Sequence, residues 1–184
     1  MTDERLVQYE QRDVSNNTDV CTSDSRSNPA AGTLVHSTSG TDSRNWLQGG
    51  SCRAGRPAGA DYLIGKQGTR YQLQPHNRYA YHAGISRFTL DRVYANNEVS
   101  EKLIGVELEY LDTEQPTFEQ YDSLAELIVY IAPIWEWRWP FIILGHYAVA
   151  RPLGRRSDPV SFDWGWLMGR LYVRAAQAGT PGLV

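Results

Sequence analysis

The segment from Thr117 to Ile131 constrains the fold of this 184-residue chain most, because its apolar residues recur at the spacing of one helix face. Thr117 and Gln120 form the capping-box pattern that begins a helix, and Pro133 ends it. The residues that share the apolar face are Tyr121, Leu124, Ile128 and Ile131. A helix with one apolar face packs against a second layer, which the rest of the chain must supply.

Short apolar runs predict that layer as a β-sheet. Strands are expected at residues 33–36, 61–65, 69–73, 103–109 and 141–144, with a hairpin turn at residues 66–68. A short helix is expected around Trp46, and a last helix from about Asp163 to Gln177. Residues 85–102 are polar and irregular and are predicted to form a loop. Strands and helices in this order predict an α/β domain, a central mixed β-sheet flanked by helices.

The length and the 41% of hydrophobic residues fit a single domain. Residues 1–31 are predicted to be a polar N-terminal arm that either is mobile or lies along the domain surface. Residues 32–178 are expected to be the domain proper, and residues 179–184 a short tail. Cys21 and Cys52 are expected to be free thiols, and one bridge between them is left open.

Charge and hydropathy exclude some partners. A net charge of −3 gives no basic footprint, so nucleic acid is not expected as a partner. No apolar run approaches the roughly 20 residues that a membrane span needs, so no stable membrane insertion is expected. The polar, acidic N-terminus lacks the regions of a signal peptide, so the protein is expected to be made in the cytoplasm. We expect a monomer.

His36 and His146 share a position in the predicted sheet, since each stands where a short apolar strand ends. That edge of an α/β sheet faces the crevice where ligands bind. Asp158 returns on the basic loop after His146, so the three residues could supply the protein ligands of a catalytic zinc site. A surface histidine and a turn aspartate are the alternative. His76 lies in a polar turn and has no expected role, whereas His82 either lines a cleft or is structural.

Several segments, taken in order over roughly residues 32–170, resemble the zinc-dependent N-acetylmuramoyl-L-alanine amidases of the bacteriophage-lysozyme and peptidoglycan-recognition-protein type. They are LVHSTSG, ADYLIGKQGTRYQL, YHAG, IGVELE, FEQYDSLAELI, and ILGHYAVARPLGRRSDP with FDW. The resemblance implies that His36, His146 and Asp158 bind Zn²⁺ in a cleft at the C-terminal edge of the sheet. His82 is then outside the metal shell. The implied substrate is peptidoglycan, cleaved at the amide between N-acetylmuramic acid and L-alanine.

Two further residues acquire catalytic roles through the resemblance. Glu107 matches the family's catalytic acid and would act as general base and then general acid, the alternative being a solvated strand carboxylate. Arg156 stands where many members have lysine. It is expected to stabilise the negative charge that develops on the carbonyl oxygen, unless it or Arg155 merely solvates the loop. Asp61 stands where the family often has a histidine.

His82, Asp61 and Trp137 are the candidate residues of the substrate cleft. If residues 134–139 are extended, their three tryptophans lie on one side. They then either pack over the end of the preceding helix or form an aromatic ledge for sugar rings or a second subunit.

The biological setting is left between two alternatives. The protein is either an endolysin that lyses the wall, which LVHSTSG and PLGRRSDP favour, or a cytoplasmic amidase that recycles wall fragments. A peptidoglycan-binding module without catalysis and a zinc hydrolase of another amide are the rival functions.

Overall fold

The computed structural model describes residues 23–180, except 52–53 and 56–57, so Cys21 and Cys52 lie outside the described residues. The strands are β1 (Ser23–Ser25), β2 (Gly32–Ser37), β3 (Tyr62–Ile64), β4 (Arg70–Gln72), β5 (Arg78–Ala80), β6 (Arg87–Thr89), β7 (Val93–Ala95), β8 (Leu103–Leu108) and β9 (Ile142–Gly145). The α-helices are α1 (Ser43–Asn45), α2 (Asn97–Lys102), α3 (Phe118–Ile131), α4 (His146–Val149) and α5 (Trp164–Gln177). A π-helical turn (Trp46–Gly50) follows α1, and a 3₁₀ turn (Ala132–Trp135) follows α3.

The central sheet has five strands in the order β4-β3-β8-β2-β9. Strands β3, β8, β2 and β9 are parallel, and β4 pairs with β3 in the antiparallel direction. The carboxyl ends of β8, β2 and β9 therefore lie side by side at one edge of the sheet. The predicted α/β fold with a central mixed sheet is confirmed.

Helices cover both faces of this sheet. The predicted capping box of α3 is present, because the Thr117 hydroxyl accepts from the Gln120 backbone N–H at 3.1 Å and the Gln120 side chain accepts from the Thr117 backbone N–H at 3.0 Å. The main core cluster joins α3 and α5 to the face of the sheet that carries Val35 and Val106. A second cluster joins α2 and α4 to the opposite face, which carries Leu34. Side chains alternate along a strand, so neighbouring residues of β2 fill different clusters.

Residues 85–102 are not the loop that the sequence predicts. They form the β6–β7 hairpin and α2, whose Val99 is fully buried against the sheet. Each element has six or fewer residues, and only the middle residue of β7, Tyr94, is buried in that strand. Periodicity cannot be recognised over so few positions, so the prediction was wrong here.

The described part of the predicted arm lies along the domain. Strand β1 pairs with β5, and Ala30 is buried in the main core. The domain boundaries themselves stay predictions. None of the helices in the described ranges has the length and apolar character that crossing a membrane requires.

Candidate active site

Three side chains converge at the carboxyl edge of the sheet. His36 is the last residue but one of β2, His146 begins α4 directly after β9, and Asp158 lies on the loop between α4 and α5. The Nδ1 atoms of the two histidines are 3.1 Å apart, and Oδ2 of Asp158 lies 3.2 Å from His36 Nδ1 and 3.0 Å from His146 Nδ1. The structure thus brings together the three residues that the sequence predicts as metal ligands.

The other ring nitrogens fix which atoms carry protons. His146 Nε2 lies 3.0 Å from the Ala83 carbonyl, and His82 Nε2 lies 3.1 Å from the Leu103 carbonyl. Carbonyl oxygens only accept hydrogen bonds, so both Nε2 atoms are protonated. In the neutral ring the Nδ1 of His82 then accepts, and it lies 3.2 Å from the Nε2 of His36, which donates to it. The network assigns bare Nδ1 atoms to both His36 and His146.

This arrangement fits a bound zinc ion. Two bare imidazole nitrogens and a carboxylate oxygen face one another at 3.0–3.2 Å with no proton to share, which is repulsive unless a cation lies between them. Tetrahedral ligands at zinc distances are separated by about 3.3 Å, close to the spacing seen here. A set of two imidazoles and one carboxylate is typical of catalytic zinc sites, which leave a fourth position open.

The protonation states favour metal binding as well. Burial lowers the pKa of His36 to about 4, although its contact with Asp158 acts in the opposite direction. Burial alone would raise the pKa of Asp158, but the contacts with His146 and His36 lower it below its usual range. His36 is therefore neutral and Asp158 ionised at neutral pH, as metal coordination requires.

Glu107 lies beside this cluster on the neighbouring strand, where β8 places it opposite His36. Its Oε2 atom is buried and has no hydrogen-bond partner among the described residues. Burial raises the pKa of Glu107 to about 8, the Asp158 charge acts in the same direction, and Arg156 opposes both. A cleft carboxyl whose pKa lies near neutrality is suited to proton transfer.

These residues line a cleft of about 920 Å³, and the exposed side chain of Arg156 belongs to its wall. Arg155, by contrast, braces the wall, since its guanidinium donates to the carbonyls of Ile85 at 2.7 Å and Arg151 at 2.9 Å. Trp46 and Tyr81 also line the cleft. The sequence analysis missed both, because an aromatic residue in a short segment gives no signal of the surface it faces.

Two of the three candidate cleft residues lie elsewhere. His82 lines the cleft behind His36. Asp61 does not: it is buried, and its carboxylate accepts from the backbone N–H groups of Ala80 at 3.0 Å and Gly105 at 2.8 Å. A carboxylate satisfied in this way stays in the interior.

Trp137 is also buried outside the cleft, and its indole N–H donates to the Ala30 carbonyl at 2.8 Å. Residues 132–135 form a 3₁₀ turn and Glu136 has a positive φ of 57°, so the segment is not extended. The prediction of an aromatic ledge was therefore wrong for Trp137. The alternative, in which the tryptophans pack near the end of α3, describes this residue.

A family model described as N-acetylmuramoyl-L-alanine amidase matches residues 26–161. The 1,6-anhydro-N-acetylmuramyl-L-alanine amidase AmpD of Enterobacter cloacae is 34% identical over 109 residues, which are 57% of this chain and 52% of that protein. AmpD of Citrobacter freundii is 33% identical over the same shares. The chain therefore spans about half the length of the curated relatives it matches.

Solved structures show the same fold. A selenomethionine derivative of AmpD superposes with a TM-score of 0.66 at 23% identity, over 82% of this chain and 90% of that one. AmpDh3 from Pseudomonas aeruginosa, in complex with anhydromuramic pentapeptide, gives 0.60 at 19% identity, over 89% and 65%. The Ph2119 endolysin, from a bacteriophage of Thermus scotoductus, gives 0.55 at 15% identity, over 89% and 93%. These structures show the fold, and the family match over residues 26–161 establishes that the chain belongs to the N-acetylmuramoyl-L-alanine amidase family.

Proposed function

We propose that the protein is a zinc-dependent amidase that hydrolyses the amide bond between N-acetylmuramic acid and L-alanine. One observation carries the proposal: the metal-binding atoms of His36, His146 and Asp158 converge in the same cleft as the unpaired carboxylate oxygen of Glu107. Membership of the family and the names of the AmpD relatives support the choice of bond.

His36, His146 and Asp158 would hold the zinc ion, which when bound supplies Lewis-acid polarisation of a carbonyl and a lowered pKa of water. Glu107 accepts the proton of the attacking water, because its free Oε2 atom has no hydrogen-bond partner among the described residues to compete. It then returns that proton to the departing amine of L-alanine. One carboxyl can do both when its pKa lies near neutrality, and burial raises the pKa of Glu107 in the metal-free protein to about 8.

Arg156 supplies positive charge from the cleft wall. As water adds to the amide carbonyl, negative charge develops on the oxygen, and a fixed cation stabilises that state more than the substrate. A guanidinium stays charged at every working pH, so Arg156 acts electrostatically and does not donate a proton. The charge of Arg156 lowers the pKa of both Glu107 and His36, which supports this role.

Soluble wall fragments are the favoured substrate. The cleft volume of about 920 Å³ lies at the upper end of small-molecule sites, enough for a muramyl sugar with the first residues of its peptide. Two relatives at 33–34% identity are named for the 1,6-anhydro form of that sugar. The likeness to the Ph2119 endolysin, at 15% identity, supports the fold alone. Wall lysis by an endolysin stays a prediction, as does the monomeric state.

The assay compares two substrates. Zinc-loaded protein is incubated with a 1,6-anhydro-N-acetylmuramyl peptide and, separately, with purified cell walls, and released peptides with L-alanine N-termini are measured by mass spectrometry. We expect release from the fragment, abolished by a chelator and restored by Zn²⁺. Release from intact walls at an equal or higher rate would favour lysis instead. Binding to both substrates without release would identify a binding module and contradict the proposal.

The metal has a separate test. His36→Ala, His146→Ala and Asp158→Ala should each lose zinc and activity, because removing one of three protein ligands leaves too few to hold the ion. Zinc content is measured by atomic spectroscopy after gel filtration, with His76→Ala as the matched control outside the site. Full zinc occupancy in the Asp158→Ala protein would remove that residue from the ligand set.

A further inference from the structure

The side chain of His82 lies between the metal site and the backbone of β8. A Cβ atom on Gly105 would lie 2.5 Å from the Cδ2 and Cγ atoms of His82, so the ring occupies space that only glycine leaves open. At its other edge, Nδ1 of His82 lies 3.2 Å from Nε2 of His36, the ring nitrogen that does not face Asp158. His82 thus joins a metal-binding imidazole directly to the central strand of the sheet.

Among the described residues, the groups that lie near the Nε2 atom of His82 are acceptors. The carbonyls of Leu103 and Ser100 lie at 3.1 and 3.3 Å, and a carboxylate oxygen of Asp61 lies at 3.8 Å. Nε2 therefore carries the proton, and the Nδ1 of the neutral ring accepts from the Nε2–H of His36. The lone pair on Nδ1 of His36 is left pointing at the metal site, since the tautomer of a ligand histidine is set by the hydrogen bond at its other nitrogen.

Asp61 holds the backbone around His82. One carboxylate oxygen accepts from Ala80, two residues before His82, and the other accepts from Gly105, beneath the ring. Arg26 lies 3.5 Å from Asp61, with 2% and 4% of the two side chains exposed. The Arg26–Asp61 ion pair lies outside the cleft and holds the segment that bears His82 against β8.

We propose that His82 is a positioning residue for the metal ligand His36, and that the Arg26–Asp61 pair keeps His82 in place. The proposal rests on the metal site of the proposed function, but it concerns a separate property, the tautomer and orientation of the His36 ring. Outer partners of this kind change metal affinity about 10–100-fold when they are removed.

Zinc affinity is measured by competition with a chromophoric chelator for the parent, His82→Phe, His82→Gln and the control His76→Gln. Phenylalanine fills the site without an acceptor, so we expect zinc to bind about 10–100-fold more weakly. Glutamine offers an oxygen to His36 and an N–H to the Leu103 carbonyl, so it should retain more of the affinity. Parent-like binding by His82→Phe, or equal weakening in both His82 variants, would overturn the proposal.

The parent chain gives a second test that does not depend on variants folding. With ¹⁵N-labelled histidine, NMR should show His82 protonated at Nε2 and bare at Nδ1, with or without Zn²⁺. A proton on Nδ1 of His82 would overturn the proposal. Failure of the proposed function is distinguishable, because the parent would then bind no zinc or release no peptide while the His82 tautomer still matched the expectation.

Discussion

Glu107 on β8 and Asp61 just before β3 are two carboxyl groups, the first partly buried and the second buried, and burial raises the pKa of both, to about 8 and about 6. Their partners differ. Asp61 accepts two backbone hydrogen bonds and pairs with Arg26, whereas Glu107 lines the cleft and its buried Oε2 atom has no hydrogen-bond partner among the described residues. A satisfied buried carboxylate stabilises structure, and an unsatisfied one at a cleft is available for chemistry.

The largest effect should come from Glu107→Gln. The amide keeps the shape but cannot take a proton, so kcat should fall about 10²–10⁴-fold, the usual contribution of a general base. Zinc content and thermal stability should stay close to the parent, because glutamine has nearly the same shape and Oε2 makes no hydrogen bond with the described residues that the change would break. Steady-state kinetics on the anhydromuramyl peptide check the rate. A kcat within a few-fold of the parent would return Glu107 to the role of a strand carboxylate.

Substitution of Arg156 should lower kcat less than Glu107→Gln does. Arg156→Ala should lower kcat about 100-fold with zinc still bound, the scale of removing one stabilising donor, whereas Arg156→Lys should keep substantial activity. Because Arg156 lowers the pKa of Glu107, the alanine variant should also shift the acidic limb of the pH–rate profile to higher pH. Arg155→Ala is the matched control for loss of charge in this loop. Near-normal turnover by Arg156→Ala would remove the residue from the mechanism.

Asp61→Asn should affect stability. An amide offers one oxygen where the carboxylate offers two, so the N–H of either Ala80 or Gly105 loses its acceptor and Arg26 loses its counter-charge. We expect a loss of about 1–3 kcal/mol in the free energy of unfolding, measured by urea denaturation of the metal-free protein. Glu107→Gln is the control, and an equal loss in both would show that the two carboxyls do not differ in structural role.

The sequence predicts the parts of this fold whose signal is local and long. The capping box at Thr117, the apolar face of α3 and the strand that carries His36 are all present in the structure. The convergence of His36, His146 and Asp158 follows once β2 and β9 are neighbours, which the resemblance implied and periodicity alone could not.

The remaining features depend on tertiary contacts that no local pattern shows. The Ala83 carbonyl that accepts from His146 is a backbone atom, so no residue type marks it. Asp61 was a cleft candidate because it stands where the family often has a histidine, but its carboxylate oxygens accept from Ala80 and Gly105 in the interior. Trp137 was a cleft candidate on the condition that residues 134–139 are extended, and the positive φ of Glu136, which breaks that condition, is not visible in the sequence.

The smallest effect concerns the pH dependence of stability in the metal-free protein. The folded pKa of His36 is about 4, below its ordinary 6.5, so the unfolded chain binds more protons between these values and stability falls as the pH falls through that window. The contribution of Asp61 to the pH dependence of stability has the opposite sign. Its folded pKa of about 6 exceeds 3.8, so its contribution is present at low pH and is lost as the pH rises toward 6.

The titrations of His36 and Asp61 have opposite signs between about pH 4 and 6, and Glu107, whose folded pKa of about 8 exceeds its ordinary 4.5, acts in the direction of Asp61. Asp61→Asn removes one of the two carboxyl contributions, so the slope of its free energy of unfolding against pH should be more positive than that of the parent. Urea midpoints measured at half-unit steps from pH 4 to 7 check this difference in slope, with Glu98→Gln, a surface carboxylate, as the control. Parallel curves for the parent and Asp61→Asn would mean that Asp61 is ionised in the folded state throughout the window. Asp61 and Glu107 would then differ in the direction of their pKa shifts as well as in hydrogen bonding.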